Sequence, residues 1–197
     1  MLEEAIEVIR TLWTGELTTH RGRWYHVEDA RLYTLPDAPP PIAVAAGGRR
    51  SAELAGRAGD ALISTAPDAE LVAAYREAGG DGPRYGMLTV CVAASEPEAK
   101  RIAHEWWPNA ALRSPLGQEL PQPAHFEAAV STVTPDDVAE SVLCSGDAKE
   151  HEAKIQEFVD AGFDHVYVHQ VGPEQEAFFR LYENELVPSL AGAAARR

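Results

Sequence analysis

The chain of 197 residues is acidic: 31 Asp and Glu against 17 Lys and Arg give a net charge of −14. This charge opposes a polyphosphate backbone, and the sequence has no basic stripe, so we expect no nucleic-acid partner. No apolar run approaches the roughly 18 residues of a membrane helix, and the first residues are acidic, so we expect a cytoplasmic protein without a membrane anchor. With 45% hydrophobic residues, the chain can bury a core.

The first forty residues combine a helix, a hairpin and an extended connection. Residues 2–13 have the apolar spacing of an amphipathic helix, which begins without a capping residue. Two short β-prone runs, 17–20 and 23–27, meet at Arg21-Gly22 and predict a small hairpin. The four prolines of residues 31–41 predict an extended surface segment.

After this point a strand-then-helix pattern recurs four times. The predicted pairs are 42–46 with 49–57, 61–65 with 68–78, 85–93 with 96–107, and 165–169 with 174–190. A proline-rich insertion, 108–123, and further helical stretches separate the third pair from the fourth. Such units favour an α/β fold with a parallel sheet, either a barrel or an open doubly wound sheet. A complete (β/α)8 barrel needs eight units in about 250 residues, so we interpret residues 1–197 as one N-terminally truncated domain, half of such a barrel.

The sharpest local motif is the run 44–51, in which a strand end is followed by Gly47-Gly48 and a helix. Glycines permit unusual φ angles and close backbone approach, and a helix N-terminus offers free N–H groups to an anion. Arg49 and Arg50 add positive charge at this place. The alternative interpretation is a simple tight turn with solvated arginines, and the motif matches neither of the glycine-rich nucleotide-binding fingerprints.

Other polar residues give weaker indications. Thr65 follows the second strand, where it would either contact a ligand or cap the next helix. His165, Tyr167 and His169 share one face of the last strand, with His169 nearer a pocket, but no third ligand suggests a metal. Cys91 and Cys144 fit two reduced thiols, because their spacing matches no disulfide framework or CxxC site. The aromatic pairs Trp106-Trp107 and Phe178-Phe179 are typical of a core or a subunit interface.

Taken together, five motifs make the chain resemble the C-terminal part of the luciferase-like oxidoreductases, and specifically the family of coenzyme F420-dependent glucose-6-phosphate dehydrogenases. The motifs are residues 4–15 (EAIEVIRTLWTG), 30–36 (ARLYTLP), 44–48 (VAAGG), 55–60 (AGRAGD) and 160–169 (DAGFDHVYVH). The resemblance implies a TIM barrel, usually a homodimer, that moves a hydride between a small-molecule substrate and the deazaflavin F420.

The resemblance also assigns site residues. It places the cofactor phosphate on Gly47, Gly48, Arg50 and Ser51, beside Ala46, and makes Thr65 a substrate contact. The positions of the family's basic substrate-phosphate ligands fall near Asp68, Ala128 and Ser141, which argues against glucose 6-phosphate. The family's proton-transferring histidine and glutamate correspond to a part that this sequence lacks, so we expect no catalytic residue here.

Two other functions fit the same residues. The first is a non-catalytic, truncated module that binds an anion or a partner and whose exposed sheet edges need covering. The second keeps the fold and replaces F420 with FMN, as in the monooxygenases of the superfamily, since a phosphate-binding turn serves either cofactor.

Overall fold

The computed structural model describes residues 1–112 and 116–194, so part of the predicted insertion lies outside the described residues. The fold is α/β with a parallel sheet, as the sequence predicts. The helices and strands, in chain order, are α1 Leu2–Leu12, β1 Thr18–Arg21, β2 His26–Ala30, β3 Ala43–Ala45, α2 Arg49–Ala58, β4 Ala61–Ser64, α3 Ala69–Glu77, β5 Arg84–Cys91, α4 Glu96–Trp106, α5 Leu116–Glu119, α6 Pro123–Ala129, α7 Pro135–Ala139, β6 Leu143–Cys144, α8 Ala148–Asp160, β7 His165–Gln170, α9 Gln175–Leu181 and α10 Val187–Ala194.

Two compact units divide the chain, and the first comprises Met1–Gly86 with Asp160–His165. In it β3 pairs with β4 in parallel, and β4 pairs in parallel with the start of β5. The predicted hairpin is confirmed as the antiparallel pair β1 and β2. The carboxylate of Glu4, on α1, accepts the backbone N–H groups of Trp24 and Tyr25 and so ties the hairpin turn to the helix.

The second unit comprises Met87–Val159 and the chain from Val166 onward. Here the end of β5 pairs in parallel with β6, through Val90 with Leu143 and Cys91 with Cys144. The backbone N–H of Val171, just after β7, donates to Val90 at 2.8 Å. The carboxyl ends of these strands therefore lie together.

The helix α4 packs differently from an ordinary covering helix. Its buried residues Ala99, Ile102 and Ala103 form one core cluster with Cys91 and Cys144, the last residues of β5 and β6. Periodicity predicts this helix and its apolar side but not the surface that it covers. The helix α4 covers the carboxyl ends of β5 and β6. The helix that directly precedes β7 in the chain is α8.

A buried histidine joins three segments of the second unit. His151, fully buried on α8, contacts the backbone carbonyl of Ser145 through Nε2 at 2.9 Å and the hydroxyl of Tyr182 through Nδ1 at 2.8 Å. A carbonyl can only accept, so Nε2 carries the proton and Nδ1 accepts from Tyr182. Burial lowers the pKa of His151 and raises that of Tyr182. The network thus requires the neutral imidazole.

We expect this histidine to make the fold less stable in mild acid. In the unfolded chain the imidazole takes up a proton as the pH falls below about 6.5, whereas the folded state resists protonation. The contribution is therefore present above that pH and is lost as the pH falls toward the lowered pKa. Urea unfolding between pH 7.5 and about 5 checks this. His151→Gln keeps a donor and an acceptor, and its free energy of unfolding should fall less with pH; equal slopes would contradict the assignment.

Candidate functional site: the Gly47-Gly48 turn

The register of two parallel strands brings the predicted site residues of the first unit to one edge. Ala45 on β3 is opposite Ile63 on β4. The backbone N–H of Ala46 continues the ladder by donating to the Ile63 carbonyl at 2.8 Å. The Gly47-Gly48 turn and Thr65 therefore follow neighbouring strand ends, where parallel α/β folds collect their ligand contacts.

Gly47 and Gly48 leave open space beside the backbone of the turn. Gly48 is the N-cap of α2 with φ −172° and ψ 166°, which is extended backbone that any residue adopts. Neither glycine has a positive φ, so this turn does not use the unusual φ angles that glycine permits. A Cβ atom built on Gly47 or Gly48 meets no heavy atom within 4 Å. The turn thus presents bare backbone to an unobstructed space.

The backbone donors of this turn face the same open region. Gly48 accepts the N–H groups of Ser51 and Ala52, both at 3.1 Å. Within the described residues, we find no protein acceptor for the N–H groups of Gly47 and Gly48. The first N–H groups of a helix also lack intrahelical partners and carry the positive end of its dipole. These donors can bind an anion.

The hydroxyl of Ser51 is already engaged. Its Oγ donates to the Gly48 carbonyl at 2.8 Å, so it must rotate away before it can donate to a phosphate. The motif in the sequence does not reveal this local hydrogen bond.

The two arginines after the turn have different surroundings. Arg49 donates to Glu53 and to Glu77, both at 2.9 Å, and these contacts raise the pKa of its guanidinium. Arg50 is exposed, and among the described residues it forms no ion pair. The charge available to an anion at this turn is therefore that of Arg50. Glu77 is far away in the sequence, on α3, so the motif alone could not distinguish the two.

Thr65 is exposed and is not the cap of the following helix. The N-cap of α3 is Asp68, whose Oδ1 accepts the N–H groups of Glu70 at 2.8 Å and Leu71 at 3.4 Å. The capping alternative for Thr65 is thus wrong, and its hydroxyl has no hydrogen bond within the described part of the chain. Asp68 therefore has a structural role, because its carboxylate caps the N-terminus of α3.

The other candidate residues take part in ring contacts and packing. The ring of His165 stacks on Tyr85 at 5.1 Å in the first unit, and that of His169 meets Trp107 edge-on at 5.2 Å in the second. Trp106 and Phe179 are 55% and 61% exposed, whereas Phe178 is buried. Of these four aromatic residues, Phe178 alone is buried in the core, since Trp107 is also partly exposed. A subunit interface for the other three stays a prediction.

Cys91 and Cys144 are buried free thiols, as predicted. Burial raises the pKa of each to about 11, so both are protonated at neutral pH. Within residues 1–112 and 116–194, no three His, Cys, Asp or Glu side chains are grouped as metal ligands. No helix in the same ranges is long and apolar enough to cross a bilayer.

The model of the luciferase-like monooxygenase family matches residues 1–165. The chain belongs to this family. Its relatives include the F420-dependent glucose-6-phosphate dehydrogenase 2 of Rhodococcus jostii, 29% identical over 96% of this chain. The F420-dependent glucose-6-phosphate dehydrogenase of Kineococcus radiotolerans is 31% identical over the same share. The chain spans 60% of the length of each of these relatives.

Solved structures confirm the predicted partial barrel of the luciferase-like type. An F420-dependent secondary alcohol dehydrogenase, in complex with an F420-acetone adduct, superposes with a TM-score of 0.79 at 25% identity. The alignment covers 95% of this chain and 60% of that one. The F420-dependent tetrahydromethanopterin reductase of Methanopyrus kandleri shares the fold, with a TM-score of 0.65 at 18% identity, over 95% of this chain and 62% of its own.

The capping assignment predicts different changes in the free energy of unfolding for substitutions at two nearby residues. Asp68→Ala removes the acceptor of two N–H groups and should lower the free energy of unfolding by about 1 kcal/mol. Thr65→Ala should change it by less than about 0.5 kcal/mol, because the hydroxyl is exposed and forms no hydrogen bond with residues 1–112 or 116–194. Denaturant unfolding of both variants measures the difference. Equal losses, or a larger loss for Thr65→Ala, would show that the cap is misassigned.

Proposed function

We propose that this chain is part of a coenzyme F420-dependent oxidoreductase and that it holds the cofactor phosphate. The observation that carries the proposal is the Gly47-Gly48 turn. It combines open space, N–H groups that have no acceptor among the described residues, and the guanidinium of Arg50, which forms no ion pair within the same ranges. A net charge of −14 repels anions elsewhere, so a phosphate needs such a local site. The F420-dependent relatives named above support this cofactor over FMN.

In the proposed site Ala46 ends the strand and the two glycines let the phosphate approach the backbone. Arg50 supplies the charge, and Ser51 donates after its hydroxyl leaves the Gly48 carbonyl. The deazaflavin, when bound, exchanges a hydride with the substrate. The residues of this chain bind and orient it, and we assign no catalytic residue to them.

We propose a small molecule with a CH–OH group as the substrate, and Thr65 as one of its contacts. The hydroxyl of Thr65 is exposed, is not used for capping and follows the strand next to the cofactor turn. We also propose a homodimer, since the first unit exposes the large apolar side chains of Leu17, Trp24 and Tyr33, which a subunit interface would cover.

Gly48→Asp tests the phosphate site with little risk to the fold, because the backbone there is extended and the Cβ position is empty. A carboxylate at the helix N-terminus should repel the phosphate and weaken F420 binding by at least about tenfold. The isosteric Gly48→Asn is the control: it adds the same bulk and the same N-cap acceptor without the charge, so binding should be weaker in Gly48→Asp than in Gly48→Asn by the contribution of the charge repulsion. Fluorescence titration of the purified chain with oxidised F420, repeated with FMN, measures both.

Each outcome of this titration has a distinct meaning. F420 binding that Gly48→Asp abolishes supports the proposal. Preference for FMN would replace F420 by a flavin and favour a monooxygenase-like activity. Binding of neither cofactor would overturn the proposal in favour of the non-catalytic module.

Substitutions of Arg50 and Arg49 give a second comparison of a test variant with its matched control. Arg50→Gln should weaken F420 binding by about five- to tenfold, because it removes the unpaired charge beside the turn. Arg49→Gln should have little effect on binding, since Glu53 and Glu77 already engage that guanidinium. Titration at two salt concentrations measures both variants, and the salt dependence should decrease only for Arg50→Gln. A larger effect of Arg49→Gln would contradict the assignment.

A further inference from the structure

The first unit contains a cleft of about 640 Å³ that no part of the proposed cofactor site uses. Its apolar walls are Trp13, which is partly exposed at the C-terminal end of α1, and the three prolines of residues 39–41. Thr14 and the charged side chains of Arg10 and Asp60 complete the lining. A mostly apolar cleft with a few polar groups is typical of a small-molecule site.

This cleft and the Gly47-Gly48 turn lie at opposite ends of β3. Residues 39–41 lead into β3, and Asp60 directly precedes β4. The carboxylate of Asp60 accepts the backbone N–H of Ile42 at 2.8 Å, which ties the amino end of β3 to the cleft. An extended strand of this length with its flanking residues spans about 13 Å. A ligand at this end therefore lies away from the carboxyl ends of the strands, where barrel enzymes bind their substrates.

The apolar walls of the cleft are rigid before any ligand binds. Proline has a fixed φ angle, so residues 39–41 have little backbone freedom to lose on binding. Trp13 is the C-cap of α1, and its backbone N–H donates to the carbonyl of Ile9 at 3.0 Å. A preformed wall of one indole and three prolines is suited to a flat ring, because aromatic faces stack on such surfaces.

The polar groups of the cleft leave donors available and few acceptors. Oδ1 of Asp60 accepts Nη2 of Arg10 and Oδ2 accepts the N–H of Ile42, both at 2.8 Å, and these bonds lower the pKa of Asp60. The hydroxyl of Thr14 donates to the carbonyl of Thr11 at 2.8 Å. For Nε and Nη1 of Arg10 we find no acceptor in residues 1–112 and 116–194. The guanidinium thus retains hydrogen-bond donors for a ligand.

The charges of the cleft favour an uncharged ligand. Arg10 and Asp60 form an ion pair, so their charges offset each other, and the net charge of −14 opposes an anion. A cation would find both oxygens of Asp60 already engaged. A neutral carbonyl oxygen can accept the remaining N–H groups of Arg10 without the repulsion that a carboxylate would meet.

We infer that this cleft is a second ligand site, which binds an uncharged aromatic ring that carries a carbonyl oxygen. The ring lies between Trp13 and residues 39–41, and the oxygen accepts from the guanidinium of Arg10. The ligand connects the end of α1 with the segment that leads into β3, so its binding stabilises the first unit. The inference goes beyond the proposed function and does not depend on which cofactor the Gly47-Gly48 turn binds.

Benzamide is a suitable probe, because it joins an aromatic ring to an uncharged carbonyl group, and benzoate is its anionic counterpart. The chain has four tryptophans, so tryptophan fluorescence during a titration reports binding. We expect a saturable change with benzamide. Benzoate should bind at least about fivefold more weakly, since Asp60 and the net negative charge of the chain oppose a carboxylate.

Variants of two tryptophans locate the bound ring. Trp13→Phe should remove most of the fluorescence change that benzamide causes. Trp24→Phe is the control and should keep it, because Trp24 is 54% exposed on the hairpin turn and does not line the cleft. A fluorescence change that survives in Trp13→Phe would show that benzamide binds elsewhere and would overturn the inference.

Arg10→Met tests the hydrogen bond to the carbonyl oxygen, since it keeps an unbranched side chain and removes the donors. It should weaken benzamide binding by about fivefold. The side chain of Arg10 is 42% exposed, so the fold should tolerate the change, which circular dichroism checks. Arg76→Met, at an exposed position of α3 outside the cleft, should leave binding unchanged. Equal affinities of Arg10→Met and the unaltered chain, no saturable binding, or tighter binding of benzoate would each contradict the inference.

A titration with F420 in the presence of saturating benzamide separates this inference from the proposed function. The affinity for F420 should be unchanged, because the two sites lie at opposite ends of β3. Competition between the two ligands would overturn the inference, since it would place benzamide at the Gly47-Gly48 turn. If benzamide binds and F420 does not, the second ligand site stands and the proposed function fails.

Discussion

The parallel pairing of β3 with β4 is the constraint on which the proposed cofactor site depends. Its ladder, continued by the hydrogen bond from Ala46 to Ile63, makes both strands end at one edge. That common edge places a helix N-terminus and an exposed threonine after neighbouring strands. Parallel strands need a long crossover connection, which is usually a helix. Here that connection is α2, so the element that joins β3 to β4 also places its own N-terminal N–H groups at this edge.

Local patterns predict much of this fold. Alternating short apolar runs and helical spacing identify β3, α2, β4 and α3, because each depends on residues that are near in the sequence. The buried surface under α4 is different. Its small apolar residues pack on Cys91 and on Cys144, and the second of these lies more than forty residues away. Helical periodicity reveals an apolar face but not its partner, so the position of this helix could not be predicted.

The same distinction applies to the candidate site. The Gly-Gly motif and its basic neighbours are visible in the sequence, and so is the resemblance that connects them with a phosphate. The division between Arg49 and Arg50 depends on Glu77, which the fold brings from another helix. The helix α3 is capped by Asp68 and not by Thr65, because the carboxylate of Asp68 stands at the N-cap position. Side-chain partners of this kind become visible only in three dimensions.

The extended backbone of Gly48 has a consequence for the evolution of this family. Because neither strain nor crowding opposes a side chain there, folding stability places little selective pressure on this glycine. In the proposed site, selection at this position would come instead from the ligand that occupies the space. A descendant that no longer bound a ligand at this turn could accumulate larger residues there without unfolding.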